Sequence, residues 1–466
     1  MTATSTAGRG TRRGTELAML TFAVLLAGLV SLAIEAAMQG GITLAPVWYS
    51  ATLAVMFGIA HLAVRRFAPY ADPLLLPLVA LLNGLGVAMI HRLDLAKTTH
   101  SSRFTLSFLS GNASLQLAWT AVGLVLLVAL LVVVRDHRSL ARYGYTLGLV
   151  GLVLLVIPAV LPASLSEVNG ARIWIRLAGF SIQPGEFAKI ALIVFFAAYL
   201  VAKRDVLSLA SRRIAGIDFP RGRDLGPVLV AWIASLLVLV VEKDLGSSLL
   251  FFGIFVVMLY IATQRTSWLL IGLALFAGGA YLAWRIFSHV QERVAIWLHP
   301  FADANGSGYQ IVQSLYGLAT GQLFGTGPGS GRPEIVPFAN SDFIVATIGE
   351  ELGLFGLTAI LVIYAIIVSR GLRTSLAVRD SFGKLLAAGL AFSMALQVFV
   401  VVGGVTKLIP LTGLTTPFLS YGGSSLVANY ILIGLLLRIS DAARRPPPDQ
   451  QPLQPLQSAP TEMVRL

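Results

Sequence analysis

Asp342 closes a long, glycine-rich, polar stretch (287–342) and opens an apolar run that carries Gly349-Glu350-Glu351-Leu352-Gly353. A carboxylate at a membrane mouth, followed by two acids inside a spanning segment, is expensive to keep unless it is used. An Asp just before a helix is also a good N-cap, and the two roles are compatible. A helix N-terminus favours the ionised carboxylate, so Asp342 is available there as a base at neutral pH. Glu350 and Glu351 lie about 12 Å deeper along the same helix, one of them protonated or paired with a basic residue from another helix.

Other charged residues offer second roles. Glu186 and Lys189 stand three apart after Pro184, which suits a first helical turn, so they share one helix face. Either they neutralise one another or Lys189 faces a phosphate that Glu186 helps to position. Arg172, after Asn169-Gly170-Ala171, and Arg293, which opens the long loop, are either interfacial anchors or forks for phosphate oxygens. Prolines and glycines in 410–425 imply a broken or re-entrant segment, tolerated at membrane depth only against protein or a cavity.

The positioning elements are membrane helices. Of 466 residues, 56% are hydrophobic and only 12% charged, with a mean hydropathy of +0.81. Apolar runs of spanning length fall near 17–37, 48–66, 73–91, 115–134, 141–161, 186–203, 226–241, 245–262, 268–286, 343–369, 383–405 and 424–440, so twelve helices are predicted. Their continuity excludes a membrane barrel, whose strands alternate. The run from Leu17 is long enough to be a retained first helix rather than a signal peptide.

Placing the N-terminus in the cytoplasm puts Arg65-Arg66, Arg135 to Arg142, Lys203 to Arg223 and Arg370 to Lys384 inside. The net charge of +12 therefore marks topology, not nucleic-acid binding. Segments 92–114, 162–185 and 287–342 then face outward. Trp297, Phe301, Tyr309, Ile311, Val312, Leu315, Tyr316 and Phe324 predict order in the last, by packing onto the membrane surface. The ionisable residues near the helices collect at outer ends. A transporter would place them near the midplane, so an outward cavity for a membrane-borne substrate is favoured. No phosphate-binding loop or dinucleotide fingerprint occurs, no histidine pair has metal-ligand spacing, and there are no cysteines.

Five ordered strings carry a family resemblance: 169–189, Lys243-Asp244-Leu245-Gly246-Ser247-Ser248, Gly308-Tyr309-Gln310-Ile311-Val312-Gln313-Ser314, Asp342-Phe343-Ile344 with 349–353, and 417–425 around Ser420. Together they resemble the SEDS family (shape, elongation, division and sporulation), whose RodA and FtsW members are integral membrane peptidoglycan glycosyltransferases. The overall strings are most similar to the actinobacterial elongation branch. The chain departs from the common pattern at Asn340-Ser341, where His-Thr is frequent, and at Lys243, where proline is frequent.

The resemblance implies an all-α polytopic fold. It divides into a basic cytoplasmic N-terminus (1–16), two extra helices (17–72), a ten-helix core (73–440) holding the outer loop 287–342, and a Pro-rich disordered tail (441–466). It implies polymerisation of lipid II on the outer face of the bacterial cytoplasmic membrane, with Asp342 as general base. Arg172, Glu186, Lys189, Arg293, Gln313, Ser420 and Glu350 are the expected substrate-binding positions. Asp244 is expected to hold a divalent cation, Mg2+ or Mn2+. A class B penicillin-binding transpeptidase is the expected partner. A lipid II flippase, a division-type paralogue and a non-enzymatic scaffold are the rival readings.

Overall fold

The computed structural model describes residues 11–41, 43–97, 111–168, 171–177, 180–208, 210–214, 217–220, 226, 229–230, 233–234, 237–238, 242 and 244–446. Among them are eleven helices long and apolar enough to cross a membrane. In chain order they are α1 (Arg13–Gln39), α2 (Ala45–Phe67), α3 (Leu75–Lys97), α4 (Asn112–Val133), α5 (Gly144–Val160), α6 (Pro184–Ser208), α7 (Leu245–Thr263) and α8 (Ser267–Ile286). Two short helices, α9 (Ser288–Leu298) and α10 (Tyr309–Gly321), precede α11 (Ile344–Ala377), α12 (Ser381–Val405) and α13 (Gly423–Arg444). The remaining expected span, 226–241, lies largely outside the described residues, as does the tail beyond 446. Helix α13 continues to Arg444, three residues past the expected start of that tail.

The expected helical fold holds, with three small hairpins in its connections: β1 (Glu167–Val168) with β2 (Ala171–Arg172), β3 (Ile175–Leu177) with β4 (Phe180–Ile182), and β5 (Ala210–Ile214) with β6 (Ile217–Pro220). The first two fill the outer segment between α5 and α6. Strands of two or three residues are too short to show a period of two in sequence.

Helices α3 and α13 form the centre, with Leu76, Ile90, Tyr430 and Leu437 wholly buried. Phe22, Leu25 and Leu29 on α1 and Leu273 on α8 are exposed, as helix faces in hydrocarbon must be. At the end of the bundle expected to face the cytoplasm, the buried Asp72 accepts from Arg370 of α11 at 2.6 Å and from Arg444 of α13. Its pairing offsets the cost of burying a carboxylate.

Near its N-terminal end, α11 is interrupted at Gly353, whose φ of 66° lies in the left-handed region. A side chain there would be strained, and its Cβ would stand 2.3 Å from the Gly325 nitrogen. The break frees backbone groups that the glycine-rich segment satisfies. Thr326 and Gly327 N–H donate to the carbonyls of Glu350 and Glu351, each at 3.0 Å. Leu354 and Phe355 N–H donate to Gln322 and Leu323 at 2.9 and 3.0 Å. Residues 322–335 thus form a strap stitched to the broken helix, which explains how irregular backbone survives near membrane depth.

Candidate active site

The strap runs through Val336 and Phe338 into Asp342. From the opposite side, the 417–425 segment fixes the same turn. Tyr421 N–H donates to Asn340 O at 2.7 Å, and the Ser420 hydroxyl donates to Ser341 O at 2.6 Å while accepting from Thr416 N–H at 2.8 Å. Ser420 is buried and holds the backbone beside Asp342 rather than lining the cavity.

Asp342 does not cap α11. The N-cap is Phe343, with no side-chain cap bond, because the turn 338–343 places the carboxylate off the helix axis. The expected benefit of the helix N-terminus is outweighed. Burial pushes the Asp342 carboxyl up to about 7, with the Arg293 guanidinium opposing and the Asp244 charge adding to the rise.

Two cavities meet at this carboxylate. One, of about 560 Å³, is lined by His289, Glu292, Gln310, Trp297 and Lys407. The other, of about 680 Å³, runs past Trp119 of α4, Trp174, Asp244, Tyr421 and Ser424. Both share Ala171, Arg293, Phe338, Asp342 and Gly413, so Asp342 and Arg293 stand at the junction of two lobes. Arg293 also donates to Leu411 O at 3.0 Å, which holds its guanidinium at the junction.

Asp244 is the N-cap of α7, accepting from Gly246 and Ser247 N–H at 2.9 and 3.2 Å and from the Ser247 hydroxyl at 2.6 Å. Burial raises its carboxyl, while those bonds and Arg293 act the other way. Among the described residues no three His, Cys, Asp or Glu side chains converge as metal ligands. Asp244 lines one lobe, and a Mg2+ or Mn2+ ion commonly takes a single carboxylate and leaves its remaining positions to water and phosphate.

The other expected site residues sit farther back. Lys189 and Glu186 are buried and paired at 2.8 Å, and Lys189 also donates to Gln397 at 2.7 Å. Gln397 in turn donates to the carbonyl of Thr415, a cavity-lining residue, so the pair lies one layer behind the wall. Arg172 is partly exposed on its hairpin and donates to Glu167 at 3.3 Å, while its neighbours Ala171, Ile173 and Trp174 line the cavity. Gln310, not Gln313, faces the first lobe. Glu350 accepts from Arg332 N–H at 2.7 Å and so holds the strap. Of the two adjacent acids, Glu351 is the one paired with a basic residue of another helix, Arg92 of α3.

Lys407 was not among the expected site residues. It lines the first lobe with φ of 62°, outside the common region for a lysine, and its carbonyl accepts from Trp297 Nε1 at 3.1 Å. The only sequence signal was its place among the outer-end charges.

The pattern of the FtsW/RodA/SpoVE family, described as a cell cycle protein, matches residues 73–445. The chain belongs to this family. It is 57% identical to peptidoglycan glycosyltransferase RodA of Mycobacterium tuberculosis, over 94% of this chain and 92% of that one. It is 34% identical to stage V sporulation protein E of Bacillus subtilis, over 80% of this chain and 98% of that one. In structure it is similar to a chain of a peptidoglycan synthase complex studied for the coordination of polymerization and crosslinking. That match has a TM-score of 0.63 and 27% identity, over 80% of this chain and 98% of that one. The family match begins just before α3, so α1 and α2 stand outside it, yet the mycobacterial RodA match spans nearly the whole of both chains.

Proposed function

We propose that this FtsW/RodA/SpoVE protein polymerises lipid II on the outer face of the bacterial cytoplasmic membrane, with Asp342 as general base. The chain is a peptidoglycan glycosyltransferase and a multi-pass membrane protein, of the RodA type that serves cell shape. The observation that supports the assignment of the base is the junction of two lobes at one half-buried carboxylate and one guanidinium.

Polymerisation joins two lipid-borne sugars, so it needs two binding spaces meeting at one reacting centre. Asp342 takes the proton from the acceptor GlcNAc 4-hydroxyl as that oxygen attacks the donor's anomeric carbon. The bond to the pyrophosphate breaks, the carbon inverts, and an α-linkage becomes a β-1,4 bond. One carboxylate suffices for a single displacement, whereas a glycosidase uses two. Arg293 and Lys407 offer positive charge to the departing pyrophosphate. A Mg2+ or Mn2+ ion, with Asp244 as its ligand, would supply further charge there. A class B penicillin-binding transpeptidase is the partner we assign to it.

A base must be unprotonated to act, so a carboxyl raised to about 7 ties the rate to neutral pH. Polymerisation should climb as pH rises through about 7. At pH 6 it should run at roughly a tenth of its plateau, since one pH unit below a pKa leaves about a tenth of the group ionised. Initial rates of lipid II consumption by the purified protein between pH 5 and 9 test this. A flat profile across that range would refute Asp342 as the titrating base.

A further inference from the structure

We propose that the two N-terminal helices, which lie outside the family match, brace the strap that carries Asp342 into the cavity, with Glu35, His91 and Arg92 as positioning residues. The inference rests on Asp342 being the base.

The brace consists of buried polar contacts between elements far apart in sequence. Near the outer end of α1, Glu35 Oε1 accepts from His91 Nε2 of α3 at 2.8 Å and from the Thr43 hydroxyl at 2.9 Å. Glu35 and His91 are buried, and the His91 ring meets Tyr49 of α2 edge-on at 4.9 Å between centroids. The next residue, Arg92, turns to the strap. Its guanidinium donates to Glu351 Oε1, to Glu334 Oε2 at 2.6 Å and to the carbonyl of Gly331. One fork thus joins the broken helix to two points of the strap, which a lysine point charge could not do.

Glu351 passes the link on, because its Oε2 accepts from Gly329 N–H at 3.0 Å. Gly329 is also where α1 touches the strap directly. A Cβ built there would stand 2.9 Å from the Ile34 carbonyl and 3.1 Å from the Ala37 Cβ. The strap is therefore held between α1, Arg92 and the break in α11, nine residues before Phe338, which lines both lobes with Asp342. Residues that fix a loop this close to the reacting group act on the geometry of attack, and small misplacements there cost rate.

The test compares Glu35→Ala, Glu35→Gln, Arg92→Lys and Asp342→Asn as full-length purified proteins, each checked for native elution and melting temperature. Glu35→Ala should lower kcat for polymerisation about tenfold while KM for lipid II stays within about twofold. Glu35→Gln should recover most of the rate, since its amide oxygen still accepts from His91 and Thr43. Arg92→Lys should also lose kcat, and it decides the matter if Glu35→Ala fails to fold. Native kcat in Glu35→Ala or, failing that variant, in Arg92→Lys would overturn the brace, as would a loss confined to KM or a Gln variant as slow as the Ala variant. If Asp342→Asn is inactive while Glu35→Ala is native, the brace fails and the base stands. If Asp342→Asn is active while Glu35→Ala is slow in kcat alone, the base assignment fails and the strap's dependence on α1 remains.

Discussion

Asp342→Asn should reduce glycan polymerisation by about 100- to 10,000-fold, the usual range for removing a general base. The amide keeps the shape of the side chain but cannot take a proton from an attacking hydroxyl. It should not cost stability. Burial already works against the ionised form, so a neutral amide relieves a desolvation penalty. The combination is diagnostic: a melting temperature equal to or above that of the native protein, unchanged insertion, and almost no product. An inactive variant that has also lost stability would point to a structural carboxylate instead.

The second large effect concerns the pair one layer behind the wall. Lys189→Met should destabilise the protein by about 3–5 kcal/mol, because it strands Glu186 as a buried charge with its partner gone. Adding Glu186→Gln to Lys189→Met should return most of that stability, since a buried pair can often be replaced by neutral residues at little cost. Thermal unfolding in detergent measures both. Activity then separates the two readings of the pair. If the double variant regains stability and polymerises lipid II within about threefold of native, Lys189 supports the wall through Gln397. If it is stable but inactive, Lys189 acts on the substrate phosphate.

Much of this architecture is legible in the residue order, for identifiable reasons. Eleven of the twelve predicted spans appear as helices, although α3 runs six residues and α11 eight residues past their expected ends, because an apolar run of about 20 residues can satisfy its backbone in hydrocarbon only as a helix. Asp342 was legible from its position, a lone acid where a polar loop meets an apolar run. Its environment was not, since the turn that lifts it off the helix end depends on Ser420 and Tyr421, about 80 residues away. Contacts at such separations leave no local signature. Arg92 and Glu351 are 259 residues apart, and Lys189 and Gln397 are 208 apart, so sequence spacing showed only that one of Glu350 and Glu351 needed a proton or some partner and that Lys189 shared a face with Glu186. The same limit concealed the strap. Its glycines read as turns or flexibility, and only the break at Gly353 shows why Gly325 and Gly329 must come so close to other chain segments.

Reconstitution in liposomes that contain lipid II, with no nucleotide, ion gradient or partner protein, is the most direct measurement. The expected result is a ladder of β-1,4-linked glycan strands, formed with stoichiometric release of undecaprenyl pyrophosphate and abolished by Asp342→Asn. Lipid II that stays monomeric and merely changes leaflet would contradict a polymerase and leave a flippase in its place.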